Sequence, residues 1–225
     1  MKKSLKINLI ITPIVILAVV SFNLLQSENI ISSSPENQLE KFPISAVDIL
    51  SLNLPIVGYS ESSVTIIAFN DYQCRDCKTW YDEEYLKISK NLIDTNKSNM
   101  VFFDSISLGD DSVLISEATY CANDQGKYSK YQEILFDSQQ EIDDWAKSEQ
   151  LKKFAIELEL DVKSFDKCLD SRKYQNKVLS NIDYAKNLGV DKIPVFKIIN
   201  TEGQEHILKG GLSSDVFEII VQQFQ

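Results

Sequence analysis

Histidine is almost missing from this chain: His206 is the only one among 225 residues. Cysteine is scarce as well, and of the four cysteines only Cys74 and Cys77 lie close together. A structural zinc site draws on clustered pairs of Cys and His. One C-x-x-C with no second pair and no neighbouring histidine argues against zinc, so no metal ligand set is assigned. His206 sits in a polar–apolar alternation that reads as a strand, and is taken as a surface or rim residue. Basic charge is lacking too. The net charge is −10, and Lys2, Lys3 and Lys6 fall in an N-terminal stretch without acids, which leaves −13 on residues 27–225. Nucleic acid demands a basic footprint, so that class of partner is excluded, as is a charge-based hold on anionic lipid. The acidic balance is read as solubility. Internal repeats and low-complexity tracts are absent, and the length is enough to bury a real core in one domain.

Residues 7–25 are almost wholly apolar and follow the three lysines. The run is about long enough to cross a bilayer core. No A-x-A pattern marks a cleavage site, and Val19-Val-Ser21 is only a weak one. Residues 1–26 are therefore read as a signal peptide or an N-terminal membrane anchor, with the length favouring the anchor. The lysines stay in the cytoplasm by the positive-inside rule, which places the rest outside, or free in solution there if the segment is cleaved. Such a compartment is oxidising and lets cysteines hold disulfides. Residues 27–53, rich in Ser, Asn and Glu, read as a linker and lead-in.

The informative stretch runs from Val64 to Trp80. A short β-branched and aromatic run, 64–70, has the length of a buried strand. Cys74 and Cys77 follow, and then Trp80, Tyr81, Tyr85, Leu86, Ile88 and Leu92 recur at helical spacing. Cys74 is thereby placed at a helix N-terminus, where free amide N–H groups and the macrodipole favour a thiolate. Residues 100–103 form a second buried strand, so the order is βαβ, with parallel pairing. Strand signals then vanish, and helical periodicity fills about 110–188. Sheet material resumes after Gly189; Asn200-Thr-Glu-Gly203 reads as a turn and 205–209 as the hairpin partner, closed by Gly210-Gly211. Ser213 is a plausible N-cap for a final amphipathic helix. Trp80, Tyr81, Tyr128 and Tyr131 are read as core.

Two features coincide: C-x-x-C after a strand, and Ile193-Pro194 opening a strand far downstream, preceded by Gly189-Val190. With the helices between them they resemble the thioredoxin superfamily, in its DsbA-like branch. Pro55 to Cys77 is similar to that branch's entry sequence. Cys121-Ala-Asn-Asp-Gln-Gly-Lys-Tyr128 and Phe165-Asp-Lys-Cys-Leu169 are similar to its insertion helices, and Gly189 to Pro194 to the loop whose proline is cis in the family. The resemblance implies an α/β, thioredoxin-like fold over 54–225, with a helical insertion between the βαβ half and the C-terminal hairpin and helix.

It also implies a protein thiol–disulfide oxidoreductase. Cys74 would be the nucleophile and Cys77 the resolving thiol. Pro194 would face the pair, and the Ile193 backbone would dock an extended substrate strand. Protein or peptide thiols would be the substrates, an oxidising membrane partner of the quinone-linked kind would restore the disulfide, and no cofactor would be needed. Cys121 and Cys168 are similar to a second, structural disulfide of some members; two buried free thiols are the alternative. Closing a loop of that size would add about 4 kcal/mol on the chain-entropy model.

Two departures stand out. Where the family often carries a buried acid, six residues before the first cysteine, this chain has Ala68, and Asp71 and Asp76 are the nearest acids. Between the cysteines stand Arg75 and Asp76, where strongly oxidising members resemble Pro-His. Opposite charges there leave the redox potential open. An oxidase of exported proteins is the reading adopted; a reductase or isomerase on the same fold, or a redox-inactive or metal-carrying binding module, are its rivals. Nothing resembles a dimerisation domain, so a monomer is expected.

Overall fold

The computed structural model describes residues 51–105, 108–139, 141 and 143–225. The apolar N-terminal segment and the linker up to residue 50 lie outside these residues, so the expected anchor does too. Among the described residues no helix is long and apolar enough to cross a membrane.

Five strands form one sheet in the order β1-β3-β2-β4-β5. They are β1 (Ile56–Val57), β2 (Val64–Asn70), β3 (Asn99–Asp104), β4 (Val195–Asn200) and β5 (Glu205–Lys209). β2 and β3 pair in parallel, Ile67 opposite Val101, and the other pairings are antiparallel. Strand β1 was not legible as such: Pro55-Ile-Val-Gly58 reads as the approach to a turn, and two residues show no periodicity. The turn between β4 and β5 lies at Thr201–Gly203, as expected, while Gly210-Gly211 leads out of β5 and does not close the hairpin.

Side chains alternate between the two faces of the sheet, as the strand pleat requires. Ile66, Ala68, Met100, Phe102, Phe196 and Ile198 belong to one core cluster, and Ile67, Phe69, Val101, Phe103, Val195 and Ile199 to another. A central strand buried on both faces explains why β2 reads as a continuous apolar run.

The long helix α1 covers 75–93. It is α-helical over Arg75–Trp80, widens to a π-helix over Tyr81–Tyr85, and repeats the change over Leu86–Ile88 and Ser89–Ile93. Its buried stripe is Cys77, Trp80, Tyr81, Tyr85, Ile88, Leu92 and Ile93, while Leu86 stands 66 % exposed, against expectation. Tyr85 and Ile88 already fill the core side at that level, so Leu86 faces outward.

Five helices lie between β3 and β4: α2 (Asp110–Asn123), α3 (Tyr128–Ser138), α4 (Ser148–Glu157), α5 (Val162–Asp170) and α6 (Gln175–Asn187). Helix α2 is buried nearly all round, including its polar Ser112, Ser116, Glu117 and Thr119. Arg172 holds Glu117 bidentate, donating from Nη2 to Oε1 at 2.6 Å and from Nε to Oε2 at 3.0 Å. Cys121 of α2 and Cys168 of α5 are joined in a disulfide. Helix α7 (Ser214–Gln223) ends the chain. Ser213 occupies its N-cap position without a side-chain cap; Glu84 of α1 accepts the Ser214 N–H instead, at 2.7 Å.

Candidate active site

Strand β2 delivers the chain to a tight loop, Asp71-Tyr72-Gln73, that enters α1 at Cys74. Cys74 is the N-cap residue, with extended backbone (φ −75°, ψ 117°), and its Sγ accepts the Cys77 N–H at 3.1 Å. The geometry follows from the C-x-x-C spacing, since an N-cap side chain reaches the amide three residues on. Both thiols are free and buried, Cys74 6 % exposed and Cys77 2 %.

The two sulfurs differ in acidity. Hydrogen bonds from the Cys77 thiol and then from its backbone N–H hold the Cys74 thiol below the ordinary range, and they outweigh burial and the repulsion of Asp76 and Asp71. Cys77 is pushed far up, because it donates to Cys74 and is itself buried. Arg75 and Asp76 are both exposed. The balance between them matters less than the bond from Cys77, which composition does not show.

The loop before Cys74 is held from two directions by the helical insertion. Asp71, 3 % exposed, accepts hydrogen bonds from Gln73 N–H at 2.7 Å, Leu108 N–H at 3.0 Å and the Ser112 hydroxyl at 3.0 Å. Burial raises its carboxyl above the usual range despite these donors. The Gln73 side chain also reaches Ser112, at 2.7 Å. From the far end of α3, the Gln139 amide donates to the carbonyls of Tyr72 and Cys74, the latter at 3.2 Å. Lys78 answers from α1 by donating to the Phe136 carbonyl at 2.8 Å. Ser112 and Gln139 were not legible as site residues, because only tertiary packing brings them within reach of the loop.

Beside α1 stands the turn into β4. The Ile193–Pro194 peptide is cis. The Pro194 carbonyl accepts the Gly210 N–H at 2.9 Å, which ties this turn to the exit of β5. Together with α1 they form a groove of about 440 Å³ lined by Asp76, Thr79, Trp80, Ile193, Pro194 and Gly211, among others. Trp80 forms part of its wall and donates to the Leu212 carbonyl at 3.1 Å. A Cβ on Gly211 would stand 3.4 Å from the Trp80 side chain, in van der Waals contact. The structure thus brings Cys74, Cys77, Ile193 and Pro194 to one end of the sheet, while Cys121 and Cys168 lie in the insertion.

Residues 51–214 match the sequence model of a thioredoxin family. A Bacillus anthracis protein described as "Probable disulfide bond formation protein D" is 27 % identical over 143 residues, covering 61 % of this chain and 66 % of that protein. The match thus spans just under two thirds of that relative's length. The oxidised crystal structure of BdbD from Bacillus subtilis superposes with a TM-score of 0.67 at 20 % identity, over 76 % of this chain and 92 % of that one. Alpha-DsbA1 from Wolbachia pipientis gives 0.66 at 20 % identity, over 77 % and 94 %. At such identity the superpositions speak for the fold, and the family match speaks for descent. The chain belongs to the thioredoxin family, and its fold, helical insertion included, is similar to that of BdbD and alpha-DsbA1.

Proposed function

We propose that this protein is a thiol–disulfide oxidoreductase that works outside the cytoplasm as a monomer and passes its Cys74–Cys77 disulfide to the thiols of other proteins. The observation that carries the reading is the Cys74 sulfur on the Cys77 N–H at 3.1 Å, at the start of a helix whose Asp76 and Trp80 line a groove with Pro194.

In the oxidising direction a substrate thiolate attacks Cys74 Sγ of the disulfide. The Cys74–Cys77 bond breaks, its electron pair passes to Cys77, and a mixed disulfide forms between substrate and Cys74. A second substrate thiolate then attacks the substrate sulfur of that mixed disulfide and expels Cys74 as a thiolate. The substrate gains a disulfide and the protein gains two electrons. A stabilised Cys74 thiolate is a good leaving group, and it stabilises the reduced protein, which makes the pair a stronger oxidant. Cys77, with its raised pKa, holds its proton once reduced. The groove beside Trp80 and Pro194 gives an extended substrate segment a place to lie, with the Ile193 backbone as its hydrogen-bonding edge.

Each turnover leaves two thiols, so an external two-electron acceptor must restore the disulfide; a membrane redox protein supplies it in this reading. The three N-terminal lysines followed by an apolar run support the same location.

The deciding measurement is the reduction potential of the pair, by equilibration with glutathione buffers. A value near about −120 mV supports disulfide donation, whereas one near about −270 mV makes electron donation the better account. A Cys74→Ser variant that retains full activity would end the mechanism.

A further inference from the structure

Gln139 lies outside the sheet, outside α1 and 65 residues from Cys74, yet it is 2 % exposed and its amide is spent on the active-site loop. It caps the end of α3, and the last turn of that helix meets the loop at several points. The Tyr72 ring packs on Phe136 with centroids 5.2 Å apart, Tyr81 stacks on the same ring at 4.2 Å, and Lys78 donates to the Phe136 carbonyl. These contacts bring two helices together. The Gln139 bonds do something different, because they fall on the carbonyls either side of Gln73, one of them the carbonyl of the nucleophile's own residue.

The Cys74 carbonyl accepts two hydrogen bonds, from Gln139 and from Lys78 N–H at 3.1 Å. The second is the first turn of α1. Its companion comes from outside the helix and fixes the plane of the peptide between Cys74 and Arg75. That plane sets ψ of Cys74, and with ψ it sets where Sγ sits relative to the Cys77 N–H. An N-cap residue without such a hold frays readily, since it has only one neighbour inside the helix. An amide donor on the carbonyl also draws negative partial charge away from the adjoining sulfur.

We infer that Gln139 is a positioning residue for thiol exchange: its amide, reaching from the end of α3, holds the Tyr72 and Cys74 carbonyls so that Cys74 Sγ stays on the Cys77 N–H. The insertion therefore sets the chemistry of the pair as well as covering it. The inference rests on Cys74 being the exchanging thiol, as proposed above.

The test compares the full chain with Gln139→Leu, Gln139→Asn and Tyr131→Phe. Leucine removes both donors; asparagine keeps the amide but is one methylene short. Tyr131→Phe deletes another buried bond of α3, from the Tyr131 hydroxyl to the Leu151 carbonyl at 2.7 Å, and leaves the loop alone. Two readouts are taken: the pH dependence of iodoacetamide alkylation at Cys74, and the equilibrium with glutathione. In the second, two glutathione thiols reduce the Cys74–Cys77 disulfide to two thiols and join in one disulfide themselves.

Both Gln139 variants should move the alkylation midpoint to higher pH. They should also shift the glutathione equilibrium toward oxidised protein by about fivefold, the worth of one ordinary hydrogen bond. Tyr131→Phe should lower the melting temperature and leave both readouts alone. Should Gln139→Leu not fold, the asparagine variant decides. Gln139 variants that melt earlier but keep the wild-type midpoint and equilibrium would overturn the inference, making the residue scaffold only. A wild-type Cys74 that titrates as an ordinary thiol would instead strike at the proposed function, so the two failures are told apart.

Discussion

Cys74 and Cys77 differ in what surrounds each sulfur, and the difference has a measurable form. In the reduced protein, alkylation of Cys74 should rise with pH about a midpoint below the roughly 8.5 of an ordinary thiol, while Cys77 stays unlabelled. Mass spectrometry of the first adduct checks the order; labelling of Cys77 first would contradict it. Cys77→Ala removes the largest of the bonds that hold the Cys74 thiolate, so the midpoint should move up. The same variant has no Cys74–Cys77 disulfide to pass on, so it should fail to oxidise substrate thiols. Asp71 acts in the opposite sense, since its negative charge disfavours both thiolates. Asp71→Asn should lower the alkylation midpoint. It should also cost about 1–3 kcal/mol in urea unfolding, because one amide oxygen must serve donors that two carboxylate oxygens now share. The identity of the thiols and of Pro194 is legible in the sequence, since spacing and neighbours mark them. The bond from the Cys77 thiol that lowers the Cys74 pKa is not legible, and neither are Gln139 and Ser112, which owe their places beside the loop to folding alone.

At the scale of elements, strands and helices were readable in proportion to their length. Strands β2 and β3 announce themselves by β-branched and aromatic residues, and the helices from α2 to α6 by their apolar period. The π-helical turns of α1 were not readable, because they alter the count of residues per turn and hardly alter the buried stripe. The start of α7 was readable, since Ser213 is its N-cap residue, but the cap bond was not, because Glu84, from another helix, accepts the Ser214 N–H. Glu84→Ala should therefore cost about 1 kcal/mol in urea unfolding, the usual worth of an N-cap, and Ser213→Ala much less. The Ser214 N–H, followed by Lys87, depresses the Glu84 pKa. A depressed carboxylate adds stability that is present above its unfolded pKa and lost as pH falls through the lowered folded value. The difference between Glu84→Ala and wild type should accordingly shrink in acid, and a difference constant down to the lowest pH would count against the cap.

The described residues form a sheet whose middle strands are buried on both faces, with five helices among them set between β3 and β4 and stapled by a disulfide. Cys121 and Cys168 are 47 residues apart, with Cα atoms 5.8 Å from each other. Replacing both by alanine should lower stability by up to about 4 kcal/mol on the loop-entropy estimate. Calorimetry would measure the loss, and an unchanged melting temperature would show that the staple constrains little. The alkylation profile of Cys74 should survive the double replacement, since neither cysteine touches the loop.

The strand order has a further consequence, in time. β2 carries the chain to Cys74, yet one of its two partners is β4, with Ile67 opposite Lys197. During synthesis the cysteine pair leaves the ribosome long before that partner, before Gln139 and before the Pro194 turn. Contacts so far apart in sequence close slowly. The growing chain thus carries two thiols before the Pro194 turn exists beside them, and the site is complete only when β4 folds back onto β2.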